Sequence, residues 1–332
     1  MIFILCSVLL IVNYYLLSKF NLFAKKNKII AVGNNKNLHK GVIARGAGIV
    51  FGSFYILLIA LMFLNSYMNS SFFLLILLGS ISCLVLGFLD DLYDLRVLVK
   101  LSFQILIILL IIFYLSDSLF DIYNFAYNFL VIFFISLFCV WALNAYNFMD
   151  GADGHLCTLA FMQCTLLNFA LFLHNNFMLI LPIMSLSLVL LIFLRFNWEP
   201  AEIFMGDAGS LFIGINFIIF TMIILKFDIL SPFLVIIIFS YYLTDTLGTL
   251  IIRTFMNLSW KQRHRSHPYQ NFSRIYSHSM MSKYVILIHL IWLLPLLIIS
   301  VFFPKYDMVL CLISLIPSII FQIKYGPMYS ST

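Results

Sequence analysis

Charge is scarce in this chain. Only 10% of its 332 residues are Asp, Glu, Lys or Arg, against roughly a quarter in an ordinary soluble domain. No polar stretch is long enough to form a soluble domain of its own. The six cysteines (Cys6, Cys83, Cys139, Cys157, Cys164 and Cys311) include no CxxC pair, and each lies in or beside an apolar run. That pattern excludes a disulfide framework and fits buried packing in helices. The first apolar run, from Ile2 to Leu17, lacks a basic leading region and a small-residue cleavage site. It reads as a retained helix and not as a cleaved signal peptide. No low-complexity segment or fixed-period repeat is present, which leaves an inverted-repeat transporter without support.

What fills the chain instead is apolar: 64% of residues. Runs of about 20 such residues recur from end to end, the length of a membrane helix. Eleven spans are expected, at 2–18, 46–65, 71–89, 97–115, 125–143, 155–173, 176–194, 209–225, 231–252, 283–303 and 308–323. The fold class is all-α and polytopic, a single membrane-embedded domain over 1–332. Connections alternate between two kinds. One set is short and plain. The other, at 19–45, 90–96, 144–154, 195–208 and 253–282, is rich in Asp, Arg, Asn, His and Gly. These loops, with their flanking helix ends and the C-terminal tail, hold 17 of the 19 basic residues. The positive-inside rule places them in the cytoplasm, with the N-terminus outside and the C-terminus inside. The net charge of +6 is therefore topological. It needs no nucleic-acid partner and suits membrane lipids or phosphates.

The acids follow the same bias. Asp90, Asp91, Asp94, Asp150, Asp153, Glu199, Glu202 and Asp207 all fall in the polar loops, while Asp245 lies inside a span. So many carboxylates repel one another unless cations join them, and Mg²⁺ prefers carboxylate and amide oxygens. In Gly87-Phe-Leu-Asp90-Asp91-Leu-Tyr-Asp94, a helical turn returns Asp94 to the face of Asp90. In Asn144-Ala-Tyr-Asn147-Phe-Met-Asp150-Gly151-Ala-Asp153-Gly154, the first three polar residues share one helix flank. Gly151 then breaks the helix and lets Asp153 swing back. In Phe204-Met-Gly206-Asp207-Ala-Gly209-Ser210, glycines flank an acid at a helix start, where backbone approaches a ligand closely and anions are favoured. Asp207 or Ser210 as a plain helix cap is the competing reading. Arg263-His264-Arg265-Ser266-His267-Pro offers guanidinium forks and imidazoles suited to phosphate oxygens. Zinc is disfavoured there, since no cysteine accompanies the histidines. His39 and Arg45, beside Gly46 and Gly48, are weaker candidates for the pocket lining, and His174, His278 and His289 read as structural.

Taken in order, these motifs resemble the polyprenyl-phosphate N-acetylhexosamine-1-phosphate transferases. The family's DDxxD, NxxNxxDGxDG and FMGDxGS patterns start here at Asp90, Asn144 and Phe204. The eleven-span layout looks like the O-antigen-initiating branch. Within it, Asn197-Trp198 and the His264 to His267 segment look closest to initiators that use 6-deoxy-N-acetylhexosamines. The resemblance implies transfer of a sugar 1-phosphate from a UDP-N-acetylhexosamine to undecaprenyl phosphate, with release of UMP, in the bacterial inner membrane. It implies Mg²⁺, with Mn²⁺ as a substitute, and relatives suggest a homodimer. Carried over by position, Asn147 and Asp207 resemble metal ligands. Asp90 and Asp91 match the acidic pair near the lipid phosphate or the metal, and Lys100 a basic residue that touches phosphate. Asp150, Asp153 and Asn197 match the nucleoside side, with Asn144 among the substrate-binding candidates. Arg263, His264, Arg265 and His267 match the grip on the donor pyrophosphate.

The chain also departs from the family pattern. Ala47 replaces a usual glycine, Val42 and Ala44 stand where prolines are common, and Glu202 stands where a basic residue is frequent. His155 replaces an apolar residue, and the late loop lacks a triple-histidine run, unlike the peptidoglycan translocase branch. These departures touch sugar choice more than the core chemistry. The competing function is a membrane transporter or lipid flippase, which would place charge and broken helices at mid-bilayer. Here only Asp245 lies that deep.

Overall fold

The computed structural model describes residues 2–27, 29–32, 42–115, 125–257 and 266–327. Helix α1 spans Ile2–Lys26, and a short antiparallel pair, β1 (Ile30–Val32) and β2 (Val42–Ala44), follows. Then come α2 (Gly48–Leu64), α3 (Ser70–Tyr93), α4 (Val97–Leu115), α5 (Phe125–Phe148), α6 (His155–Leu173), α7 (Ile180–Asn197), α8 (Gly206–Lys226) and α9 (Pro232–Phe255). The chain closes with α10 (Pro268–Ile275), α11 (His278–Leu287), a π-helical turn (Ile288–Leu293), α12 (Leu294–Phe302), a 3₁₀ turn (Pro304–Tyr306) and α13 (Asp307–Tyr325). Among the described residues, nine helical stretches are long and apolar enough to cross a membrane. The expected all-α polytopic architecture is what the chain adopts. Helix α2 is apolar but only 17 residues long, and α1 runs as one 25-residue helix well past the apolar edge expected near residue 18.

Several helices outrun the expected spans where the acids lie. Helix α3 continues to Tyr93 and α5 to Phe148, while α8 begins at Gly206. The edge of an apolar run marks where lipid ends, and polar residues can continue the same helix into water. Asp90, Asp91, Asn144, Asn147 and Asp207 therefore sit on terminal helical turns and not in loops. Asp94 does not return to the Asp90 face as a further helical residue. It adopts a left-handed conformation (φ 48°) and ends α3, its N–H bonded to the Asp90 carbonyl. Starts are equally local. Asn69 accepts from Phe72 N at 2.9 Å, and Ser231 accepts from Leu234 N with Pro232 opening α9.

The chain forms two compact units. The first holds α1 to α5, the strand pair and α8. Its centre is α8, buried along nearly its whole length against α2, α3 and α5. Deep in this packing Asn216 Nδ2 donates to Ser80 Oγ at 3.0 Å and to Phe212 O at 2.8 Å. Such pairs hold membrane helices together. Asn216→Leu is expected to cost about 1 kcal/mol, read as an earlier thermal unfolding midpoint in detergent. A midpoint unchanged or raised would mean the pair holds nothing.

The second unit holds α6, α7 and α9 to α13. Helix α6 packs on α7 and α11, and α9 on α13. The buried Asp307 carboxylate accepts from Ser231 Oγ at 2.5 Å and Ser300 Oγ at 2.6 Å, tying the starts of α9 and α13 to α12.

Candidate active site

In the first unit the acids and bases expected to do chemistry form one network. Its frame is backbone. Phe204 N donates to Ala44 O at 2.8 Å, Ala47 N to Phe204 O at 3.1 Å and Gly48 N to Met205 O at 2.9 Å. This lacing runs the segment after β2 alongside the entry to α8. A Cβ on Gly48 would collide with the backbone of Ala208 and Gly209, and one on Gly87 with that of Asp207 and Ala208. Two helices thus reach the start of α8 at backbone distance.

Helix α8 lacks a cap from its own preceding residue, Met205. Asp91 supplies one from α3. Its carboxylate oxygens accept from Asp207 N at 2.9 Å and Ala208 N at 3.1 Å, satisfying two of the donors every helix start leaves open. Gly206 is the hinge: its φ is +72°, and a Cβ there would strike the Asp91 carboxylate. The Asp91 side chain is wholly buried. Arg45 Nε reaches the same carboxylate at 2.8 Å, and Arg45 Nη2 reaches Asp207 Oδ1 at 2.7 Å. Burial opposes the guanidinium charge, but Asp91, Asp207 and Asp150 outweigh it and raise the Arg45 pKa.

Asp207 collects the remaining partners. Asn147 Nδ2 donates to its Oδ2 at 3.0 Å, and Lys100 Nζ lies 3.6 Å from that oxygen. Lys100 Nζ also holds Asp90 Oδ2 at 2.6 Å, while Asp90 Oδ1 accepts from Leu95 N at 2.8 Å. Asp90 with Asp91, Asn147 and Asp207, from three sequence motifs, do meet, and Lys100 joins them. Asn144 turns elsewhere. Its Nδ2 donates to Gln104 Oε1 at 2.7 Å and to Val140 O, and Gln104 Nε2 returns a bond at 3.3 Å. Gln104 is one turn from Lys100 on α4, as Asn144 is one from Asn147 on α5, so the amide pair braces the two helices that hold Asp207.

Sequence reasoning undervalued Arg45 and missed Gln104. A lone Arg after a short strand has no helical spacing to mark it, and a Gln within an apolar run signals only that its amide needs a partner. Asp150 follows α5 and contributes to the field at Arg45.

In the second unit the DG turn is held from beneath. Gly154, with φ +70°, donates its N–H to Asn197 Oδ1 at 3.2 Å. Asp153 Oδ2 accepts from Ala201 N at 3.1 Å, and Asp153 N donates to His278 Nδ1 at 3.0 Å. Asp153 and Asn197 are thus buried supports of the turn, and His278, read as structural, is its third. Asp245, the carboxylate within a span, meets His267 Nδ1 at 2.8 Å and Tyr269 N at 3.4 Å. It opens α10 and orients the imidazole. Glu199 accepts from Ser279 N at 2.7 Å. Burial pushes its carboxyl up, but the Ser279 bonds and His278 hold it below the usual range. Arg263, His264, Arg265 and His39 lie outside the described residues.

Comparison with known proteins finds the same stretch of chain in a family of transferases. The model for "Glycosyl transferase family 4" matches residues 73–225, the stretch carrying Asp90, Asn147, Asp153 and Asp207. A phospho-N-acetylmuramoyl-pentapeptide-transferase of Lactobacillus helveticus is 35% identical over 148 residues, 39% of this chain and 45% of that protein. A probable undecaprenyl-phosphate N-acetylglucosaminyl 1-phosphate transferase of Bacillus subtilis is 28% identical over 240 residues, 66% of this chain and 63% of that protein. The corresponding muramoyl-pentapeptide enzyme of Prochlorococcus marinus is 28% identical over 283 residues, 76% and 77% of the two chains. The first of these matches thus spans less than half of the relative's own length. The motifs, the helical membrane fold and these relatives agree: the chain is similar to the polyprenyl-phosphate sugar-1-phosphate transferases, and its residues 73–225 match the glycosyl transferase family 4 model.

Proposed function

We propose that the protein transfers the sugar 1-phosphate of a UDP-N-acetylhexosamine, with 6-deoxy sugars among the candidate donors, to undecaprenyl phosphate at the cytoplasmic face of a bacterial inner membrane. The product would start a lipid-linked surface glycan such as O-antigen. The observation that carries this reading is the Asp207 carboxylate, gripped by Arg45 and Asn147 with Lys100 alongside. In the reaction, an oxygen of the lipid phosphate attacks the sugar-bearing phosphorus of the donor. A P–O–P bond forms, the bond to the UMP oxygen breaks, and UMP leaves with the electron pair. An ionised phosphate attacks without a strong base, so the work is positioning and charge neutralisation.

Asp90, Asp91 and Asp207 face two cations, Arg45 and Lys100. That leaves one carboxylate charge uncompensated, which suits a divalent cation. Among the described residues no three Asp, Glu, His or Cys side chains form a metal cage. Mg²⁺ does not need one, since it takes one or two protein carboxylates and completes its shell with water and substrate phosphates. Asp207, with the Asn147 amide, would hold it, and it would offset charge on the transferring phosphate. Arg45, with 39% of its side chain exposed, and Lys100 would steady phosphate oxygens. Arg263, His264, Arg265 and His267 would grip the donor pyrophosphate, a role that rests on the resemblance.

The test is UMP release by purified protein, Mg²⁺ and undecaprenyl phosphate with a panel of UDP-N-acetylhexosamine and 6-deoxy donors. Release is expected only when the lipid phosphate is present. No release from any donor would overturn the reading.

A further inference from the structure

The second unit buries more polar atoms than it bonds. Six of them lie on α6, α9, α11 and the π-helical turn: His155 Nδ1 and Nε2, Thr158 Oγ1, Tyr241 OH, Ser282 Oγ and His289 Nε2. None has a hydrogen-bond partner among the described residues, and each parent residue is at most 1% exposed.

They belong to one place. The Tyr241 ring stands between two imidazoles, 6.1 Å from His155 and 6.2 Å from His289, edge-on or steeply inclined to both. Thr158 lies one turn along α6 from His155, on the same face. Ser282 Oγ is 3.3 Å from where a Cβ on Gly154 would stand, next in the chain to His155. His289 Nδ1 bonds the Val285 carbonyl at 2.7 Å. A carbonyl only accepts, so that nitrogen carries the proton and Nε2 presents a lone pair. Donors and acceptors are both represented: a phenol, two hydroxyls and imidazoles with no net charge requirement. The backbone shifts to a π turn where His289 enters, a distortion common at functional sites.

Buried polar atoms left unpaired are costly, and polar-lined interiors fill with water where apolar ones stay dry. A buried water makes about three hydrogen bonds, so six open atoms call for about two waters. We propose that this cluster is an internal water-binding site. Ordered waters bridge the Tyr241 hydroxyl to His155 and His289 and satisfy Thr158 and Ser282. The site steadies the turn above it, because His155 stacks flat on Tyr269 (4.3 Å, 9°), whose hydroxyl packs under Gly151. It also gives a purpose to His155, a polar residue where an apolar one is usual.

The experiment is thermal unfolding of the intact protein in detergent, for Tyr241→Phe, Thr158→Val and the pair. Each removes one polar atom and keeps the shape. With water present, each variant loses hydrogen bonds and unfolds about 2–4 °C earlier. The double variant loses less than the sum, because both residues serve the same waters. A dry site gives the opposite sign: deleting an unpaired polar atom leaves the midpoint unchanged or raises it. Either result in either single variant, or strict additivity in the pair, overturns the proposal. The readout does not depend on UMP release, so it stands or falls apart from the proposed reaction.

Discussion

Asp207→Asn is expected to reduce UMP release by about 10³-fold while the protein still folds. The Asp207 side chain is 14% exposed and supplies none of the hydrogen bonds that start α8; those come from Asp91. An Asn there keeps the volume and one carbonyl oxygen for Arg45. What it loses is the negative charge that organises Arg45, Lys100 and the proposed Mg²⁺. The paired variant Asp91→Asn separates the roles. Its amide nitrogen cannot accept from either Asp207 N or Ala208 N, so one buried N–H at the start of α8 is stranded. That costs about 1–3 kcal/mol and is expected to appear first as a lower unfolding midpoint. Measuring both quantities on both variants decides the matter. If Asp207→Asn kept more than a tenth of wild-type turnover, Asp207 would not be the centre of the site.

The second large effect is steric. Gly87→Ala is expected to destabilise the protein by roughly 3 kcal/mol or more, at the upper end of overpacking costs. The added methyl meets the backbone of Asp207 and Ala208, which cannot rotate away as a side chain can. Helix α3 would have to retreat from α8, carrying Asp90 and Asp91 with it, so turnover should fall along with the unfolding midpoint. Gly52→Ala is the control. Its methyl meets chiefly the end of the Leu84 side chain, at 2.6 Å, which another rotamer can clear, and the loss there should be much smaller. Equal losses at the two positions would show that backbone contact at Gly87 is not what sets the geometry.

The membrane fold was legible because its signal is additive: every apolar residue in a span votes the same way. The acidic stations were legible for a different reason. Asp90, Asn147 and Asp207 are polar residues at the rims of apolar helices, where packing gives them no purpose. Less visible was the division between them. Asp90 and Asp91 are neighbours of one type, yet Asp90 pairs with Lys100 while Asp91 holds the start of α8. Adjacent helical positions point about 100° apart, and only the packing of α3 on α8 says which direction is which. Asn144 and Asn147 diverge in the same way, one toward Gln104 and one toward Asp207. Asp94 was misplaced because its left-handed conformation, uncommon for a non-glycine residue, is invisible to helical periodicity.

The lacing between residues 44–48 and 204–205 is written entirely in main-chain atoms. Its grammar does not depend on which side chains occur there, provided they are small enough to fit, and Ala44 and Ala47 are both fully buried. Alanines at 44 and 47, in place of the proline and glycine common there, therefore leave the main-chain bonds beside Arg45 intact. The side chains at these positions are thus a poor guide to whether the residue carried on that rail still works.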